Sequence, residues 1–138
     1  MLFLGGDLPN GPTKTTELVT INQPTVREGP ELPGYFAYSC SVLVEGNVYL
    51  IGGIDTENML ILNTLLMIDV RTSEMIYKRE LDYYTFGHAC AQITGLNGNK
   101  IVVSGGDGVY LSTEIYDINN DIWQHGNIVS LFCSFMQP

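Results

Sequence analysis

The sequence has few basic residues and no long hydrophobic run. Its 138 residues contain 6 Lys and Arg against 15 Asp and Glu, for a formal net charge of −9. A chain of that sign repels nucleic-acid phosphates and anionic lipid head groups, so we expect neither nucleic acid nor a membrane as a partner. No apolar stretch approaches the ~18–20 residues of a membrane-spanning helix, and the apolar start at Met1–Leu4 ends at two glycines, too early for a signal-peptide core.

Cysteine is also scarce: Cys40, Cys90 and Cys133 make an odd total of three. Small domains framed by disulfides carry a denser and even set of cysteines. We therefore expect reduced, buried thiols. Together with the missing signal-peptide core, this expectation slightly favours a cytoplasmic location.

The residues that are abundant indicate the fold class. Hydrophobic residues make up 45% of the chain and charged residues 15%, a balance typical of one globular core at this length. The 15 Gly, 8 Tyr and 5 Phe, with turn residues throughout, favour short strands over long helices. The sequence therefore predicts an all-β fold.

An internal repeat is the strongest pattern in the chain. Three apolar stretches each end in a glycine pair, at spacings of 47 and 53 residues: Gly5-Gly6, Gly52-Gly53 and Gly105-Gly106. Ahead of the second and third pairs, Phe36 aligns with Phe86 and Cys40 with Cys90. Behind the pairs, third strands are predicted at Thr16–Ile21, Leu65–Val70 and Thr113–Ile118, and fourth strands near Val26, Met75 or Ile76, and Trp123.

The order of these features resembles the kelch repeat family. The third unit carries it best, with Gly87-His88-Ala89, then Lys100–Gly106, then Glu114–Asp117, then Trp123 six residues after the aspartate. The second unit departs from that pattern, because Tyr38 replaces the histidine and no tryptophan follows. The resemblance implies a partial kelch β-propeller of four-stranded antiparallel blades, with Trp123 filling the space beside a glycine pair.

The implied blades divide the chain into four segments. Residues 1–33 form a partial blade holding the second to fourth strands, 34–82 and 83–128 form two kelch blades, and 129–138 form an apolar tail that begins a further strand. Propellers generally close with 4–8 blades. We therefore expect a fragment of a longer propeller, with self-association or completion by a partner as the alternative.

Catalytic and cofactor chemistry finds little support in the sequence. His88 is predicted to be a hydrogen-bonded residue at a strand start and His125 a solvated turn residue, and neither has a partner at metal-ligand spacing. The acidic residues after the glycine pairs (Asp7, Asp55, Glu57, Asp107) lack a calcium-loop pattern and are predicted to form turns. We predict no catalytic residue, cofactor site or metal site, and structural roles for the glycine pairs.

Cys40 and Cys90 occupy equivalent positions on predicted inner strands of adjacent blades. Two buried thiols are the expectation, and a disulfide between them is the alternative. Such a bond would require their Cα atoms to approach to about 4.4–6.8 Å.

Aromatic residues cluster where the chain enters each predicted blade. The candidate partner-binding residues are Tyr35, Phe36, Tyr83, Tyr84 and Phe86, with Tyr110 in a loop on the same rim. Aromatic side chains supply much of the energy at interface centres, although these could instead cover blade junctions. We predict a non-catalytic module that binds a protein, with acidity that favours a basic surface. The alternatives are a fragment of a kelch-like enzyme of sugar oxidase or epimerase type, and a structural remnant without its own activity.

Overall fold

The structure is a computed structural model that describes residues 2–95, 98–107 and 113–126, without the side chains of Phe3 and Asp7. Every regular element in these residues is a β-strand. The strands are β1 (Leu2–Leu8), β2 (Gly11–Thr20), β3 (Thr25–Glu28), β4 (Cys40–Val44), β5 (Asn47–Asp55), β6 (Leu60–Asp69), β7 (Met75–Tyr77), β8 (Ala89–Gly95), β9 (Gly98–Ser104), β10 (Thr113–Asp117) and β11 (Ile122–Gly126).

The described strands form three antiparallel sheets in simple sequence order. The first sheet is β1-β2-β3, the second is β4-β5-β6-β7 and the third is β8-β9-β10-β11. The all-β class with four-stranded antiparallel sheets is therefore confirmed. The predicted fourth strands are β3, β7 and β11, which contain Val26, Met75 with Ile76, and Trp123. The apolar tail 129–138 and Tyr110 lie outside the described residues.

The glycine pairs lie at matching places in the three sheets. Gly5-Gly6 lies within β1, Gly52-Gly53 lies within β5, and Gly105-Gly106 directly follows β9. In each pair both residues have positive φ, at 52° and 117°, 54° and 104°, and 76° and 92° respectively. The pairing register of β1 and of β5 shifts at its glycine pair, as at a β-bulge. The sequence repeat is therefore a repeat of backbone conformation.

Close backbone contacts explain why these positions need glycine. A Cβ atom on Gly53 would lie 2.6 Å from the Ala37 carbonyl oxygen, and one on Gly106 would lie 2.7 Å from the Phe86 carbonyl oxygen. In both sheets the segment that enters the first strand crosses over the glycine pair. The prediction that Trp123 fills the space beside a glycine pair is wrong. The centroid of its ring lies 5.0 Å from that of the Tyr116 ring, and its Nε1–H donates to the Arg79 carbonyl at 2.7 Å.

The hydrophobic core consists of two layers on opposite faces of the second sheet. Side chains alternate along β5, so that Val48 and Leu50 face the first sheet while Tyr49 and Ile51 face the third. The layer toward the first sheet contains Leu32, Phe36, Val48, Leu50, Leu66 and Ile68. The layer toward the third sheet contains Val44, Tyr49, Ile51, Leu65, Leu81, Ile101, Val103 and Tyr116. The middle sheet is therefore covered on both faces by its neighbours.

Three aspartates close turns in the same way. The carboxylates of Asp55, Asp69 and Asp117 each accept hydrogen bonds from two backbone N–H groups two and three residues later. These bonds hold the pKa of each carboxyl below its usual value, with the Asn58 and Asn120 amides contributing most at Asp55 and Asp117. Asp55 thus has the turn-forming role that the sequence predicts.

A disulfide joins the second and third sheets. It links Cys40 at the start of β4 to Cys90 in β8, with the two Cα atoms 6.0 Å apart. The expectation of reduced thiols is wrong for this pair, because equivalent positions on the two innermost strands lie within disulfide range. Disulfides persist in oxidising compartments, so these two cysteines no longer support a cytoplasmic location. Cys133 lies outside the described residues.

Candidate functional site

Several segments meet at one edge of the second and third sheets. The Ala37 and Ile54 backbones exchange hydrogen bonds of 3.0 and 2.7 Å, which places the start of the second unit beside the end of β5. The Gly87 N–H donates to the Tyr38 carbonyl at 2.8 Å, and the Thr85 N–H donates to the Leu62 carbonyl at 3.1 Å. We call the edge formed by residues 35–38, 54–62 and 83–87 the entry edge.

Aromatic rings project from the entry edge into solvent. Tyr38 is 64% exposed and Tyr84 is 56% exposed. The half-buried Phe86 ring contacts Tyr38 edge-on, with 6.5 Å between ring centroids. The sequence predicts Tyr84 and Phe86 as candidates, and the structure brings them to the same edge.

Phe36 does not belong to this exposed group. Its side chain is 4% exposed and packs in the core layer between the first and second sheets. Its place as a partner-binding candidate is therefore corrected to a core role. The aligned Phe86 is half-buried, so equivalent positions in two units have different environments.

Tyr38 is an exposed aromatic residue at the entry edge that the sequence candidates omit. It occupies the position of His88 in the next unit, and its φ is 53°. His88 is buried and its Nε2 lies 3.0 Å from the Ile51 carbonyl oxygen, as predicted for a hydrogen-bonded residue at a strand start. Burial lowers the pKa of His88. The replacement of histidine by tyrosine in the second unit is the signal that marks Tyr38 as different.

The hairpin between β5 and β6 adds apolar side chains to the same edge. Met59, Leu60 and Ile61 are all exposed there. Their hairpin extends beyond Gly53, and its last pair is Asp55 with Leu60. We call the resulting set the entry-edge patch, which contains Tyr38, Met59, Leu60, Ile61, Tyr84 and Phe86.

Acidic side chains border the entry-edge patch. Asp55 and Glu57 lie in the turn that carries Met59. The hydrogen bond from the Asn58 amide, at 2.8 Å, is the main reason that the pKa of Asp55 lies below its usual value, and Asp55 is therefore ionised at neutral pH. The patch is thus apolar at its centre and anionic at one border.

The other two tyrosine candidates at the entry edge contact side chains of their own chain. The Lys14 Nζ lies 4.6 Å from the centroid of the Tyr35 ring, within cation–π distance. The Tyr83 ring lies 5.4 Å from the His125 ring. The Tyr35 and Tyr83 side chains are half-buried, so they pack against their own chain and add little exposed apolar surface to the entry edge.

His125 lies on β11 and not in a turn, which corrects its predicted location, whereas its side chain is exposed as predicted. Its Nε2 lies 2.9 Å from a carboxylate oxygen of Asp82, and the Glu114 carboxylate is close to both. The sequence gives no metal-ligand spacing here, because Asp82 comes from the linker after β7 and the other two residues come from β10 and β11.

Two side chains that sequence analysis considers as a nucleophile and a base, Cys90 and His88, are each engaged elsewhere. Cys90 is committed to the disulfide, and the Nε2 of His88 is engaged by the Ile51 carbonyl, so they do not form a nucleophile–base pair. A cleft of about 370 Å³ opens between the first and second sheets, but its lining is almost entirely apolar: Leu2, Leu18, Ser41, Val42, Leu43, Gly46, Val48 and Val70. Such a lining offers no acid or base to a substrate.

Comparison of the sequence with models of known protein families and with characterised proteins found no match. In residues 2–95, 98–107 and 113–126, no helix has the length and apolar character needed to cross a membrane.

Proposed function

We propose that the chain is a non-catalytic protein-interaction module of kelch-repeat type that binds a protein partner through the entry-edge patch. The observation that carries the proposal is that exposed aromatic and aliphatic side chains lie on three segments whose backbones are hydrogen-bonded to one another at one edge. Contiguous exposed apolar surface with a polar border is characteristic of protein-binding sites. Aromatic residues at the centre of such a patch supply much of the binding energy.

The charge of the chain indicates the chemistry of the partner. The formal net charge is −9, and Asp55 and Glu57 border the patch. A complementary partner would present an apolar centre with Lys or Arg at its border, and electrostatic attraction would speed its association. We therefore expect binding to a basic protein surface that weakens as salt concentration rises.

The kelch assignment is supported by what the repeated residues do. The glycine pairs share one backbone conformation, and the aspartates Asp69 and Asp117 close equivalent turns after the third strand. Because the glycines and the aspartates each fix a backbone turn in their own sheet, a repeat of stacked sheets would keep both residue types at these positions. The enzyme alternative has less support, because it requires reactive groups that converge on a substrate, and Cys90 and His88 are both engaged elsewhere.

Two tyrosines of nearly equal exposure provide a matched test. Tyr84 in the patch is 56% exposed and Tyr77 on β7 is 55% exposed. A partner would be captured on the immobilised chain, purified, and its Kd measured against each variant. Tyr84→Ala should weaken binding by about tenfold or more. Tyr77→Ala should leave the Kd unchanged, and neither variant should lower the Tm by more than about 2 °C.

Two outcomes would contradict the proposed site. Equal weakening by Tyr84→Ala and Tyr77→Ala would show that binding does not use the entry edge. Loss of binding in parallel with a large fall in Tm would assign Tyr84 to packing. A Tyr38→Ala variant tests the same patch from the second unit and should give a loss comparable to that of Tyr84→Ala.

A further inference from the structure

Three potential metal ligands converge where the second and third sheets meet. Glu114 on β10 and His125 on β11 are directly opposite in the antiparallel register, so their side chains share a face of the sheet. Asp82 reaches them from the linker between β7 and β8. One ligand atom from each of the three residues lies within 4.8 Å of the other two.

Glu114 is the fixed member of this group. It is 3% exposed, and its Oε1 accepts a hydrogen bond of 3.0 Å from the Asp82 backbone N–H. Burial raises the pKa of the Glu114 carboxyl, and the hydrogen bond from the Asp82 backbone N–H partly offsets that rise. The carboxylate is therefore held in place in a site where its charge is poorly solvated.

The local charge favours a cation. In the described ranges, the ion pairs that involve Asp82 or Glu114 include no Lys or Arg, and the partner of Asp82 is His125 at 2.9 Å. A buried carboxylate beside a second carboxylate is costly unless a cation compensates it.

We propose that Asp82, Glu114 and His125 bind a divalent transition metal of the Zn²⁺ class. Imidazole nitrogen and carboxylate oxygen are ordinary Zn²⁺ ligands at about 2.0–2.2 Å, whereas Mg²⁺ and Ca²⁺ prefer oxygen ligands throughout. The Asp82 and His125 side chains are 58% and 53% exposed, so both can adjust to those distances around the fixed Glu114. Their exposed side leaves room for water as the remaining ligand.

The bound metal would fasten the linker to the third sheet. Asp82 immediately precedes Tyr83 and Tyr84, which belong to the entry edge. Glu114 and His125 belong to β10 and β11 of the third sheet. The inference does not depend on the proposed partner, because it concerns metal affinity alone. Trp123, the single tryptophan of the chain, lies two residues before His125 on the same face of β11 and reports on the site.

Calorimetric titration of the tag-free protein with ZnCl₂ tests the site, with Trp123 fluorescence as the second readout. We expect one equivalent of Zn²⁺ to bind, a change in Trp123 emission at the same equivalence point, and a rise in Tm of about 9 °C at 100 times the Kd. Asp82→Asn and His125→Gln should each weaken binding at least tenfold. Both replace exposed side chains, so their metal-free Tm should remain within about 3 °C of the parent value.

The matched control is Glu80→Gln, which removes one negative charge from the same linker without removing a ligand. It should leave the Zn²⁺ affinity within about twofold. The proposal is overturned if the parent protein does not bind Zn²⁺, if His125→Gln binds it as tightly as the parent, or if Glu80→Gln weakens it as much as Asp82→Asn. Equal affinity for MgCl₂ would likewise overturn the assignment to the Zn²⁺ class.

Discussion

Opening the disulfide between Cys40 and Cys90 is expected to remove a large part of the stability of this fold. The bond closes a loop across a sequence separation of 50 residues and joins β4 of the second sheet to β8 of the third. In the chain-entropy treatment, a loop of that length contributes about 4 kcal/mol by constraining the unfolded chain. Domains of this size are stable by only about 5–15 kcal/mol, so the effect is measurable.

The expected shift in Tm follows from the length of the chain. The unfolding entropy is about 2.1 cal/mol/K per residue near 60 °C, and the chain has 138 residues. A loss of about 4 kcal/mol therefore lowers the Tm by about 14 °C. The two sheets should still stack after reduction, because the core layer around Ile51, Leu65 and Tyr116 does not depend on the sulfur bridge.

Thermal unfolding with and without a reducing agent measures this shift. Cys40→Ser and the double variant Cys40→Ser/Cys90→Ser should give the same Tm, because either removes the one cross-link. Cys133→Ser is the matched control and should respond to reductant as the parent does. In denaturant without reductant, one thiol of three should react with a labelling reagent, and after reduction all three should react.

Two results would refute this reasoning. Labelling of three thiols before reduction would show that Cys40 and Cys90 are not joined. A Tm that reductant leaves unchanged, in protein shown to carry the bond, would show that the cross-link does not restrict the unfolded chain as the loop length requires.

Two further predictions concern the repeated elements. Gly53→Ala should destabilise the fold by about 2–4 kcal/mol in chemical denaturation, because its Cβ would collide with the Ala37 carbonyl oxygen. The control is Gly46→Ala, which has positive φ but open space around it and should destabilise the fold by about 1 kcal/mol. Equal destabilisation by the two variants would show that the Ala37 carbonyl does not restrict position 53. Asp117→Ala should lower the Tm at pH 7 and reduce the loss of stability in acid. Because the pKa of the native Asp117 carboxyl is lowered, its contribution is present above the unfolded pKa and lost as pH falls below about 4, so an unchanged acid limb would contradict its role.

The repeated backbone could be predicted from sequence because its causes are local. Each glycine pair requires positive φ, each aspartate turn needs a carboxylate two and three residues before its N–H donors, and each strand carries its own apolar pattern. These signals recur in the same order in successive units. Sheet order and strand number therefore followed from short stretches of sequence.

Contacts between sheets could not be predicted in the same way. Cys40 and Cys90 are equivalent in sequence, but their pairing depends on how closely β4 approaches β8. The group of Asp82, Glu114 and His125 joins a linker to two strands, so no fixed sequence spacing marks it. Phe36 and Phe86 align in sequence, yet only Phe36 is fully covered by a neighbouring sheet.

The first glycine of each of the first two pairs packs against the segment that leads into the next sheet. A Cβ on Gly52 would lie 2.9 Å from Cε1 of His88 and 2.7 Å from the Thr85 carbonyl oxygen, both from the third unit. A Cβ on Gly5 would lie 3.1 Å from the Phe36 carbonyl oxygen and 3.1 Å from Leu32 Cδ1, atoms that precede the second sheet. Backbone oxygens make these contacts in both units, so the histidine can become Tyr38 while the glycines stay. His88 is buried, whereas Tyr38 at the equivalent position of the second unit is exposed and belongs to the entry-edge patch. The same difference between the two units therefore removes a buried side chain and adds an exposed aromatic one.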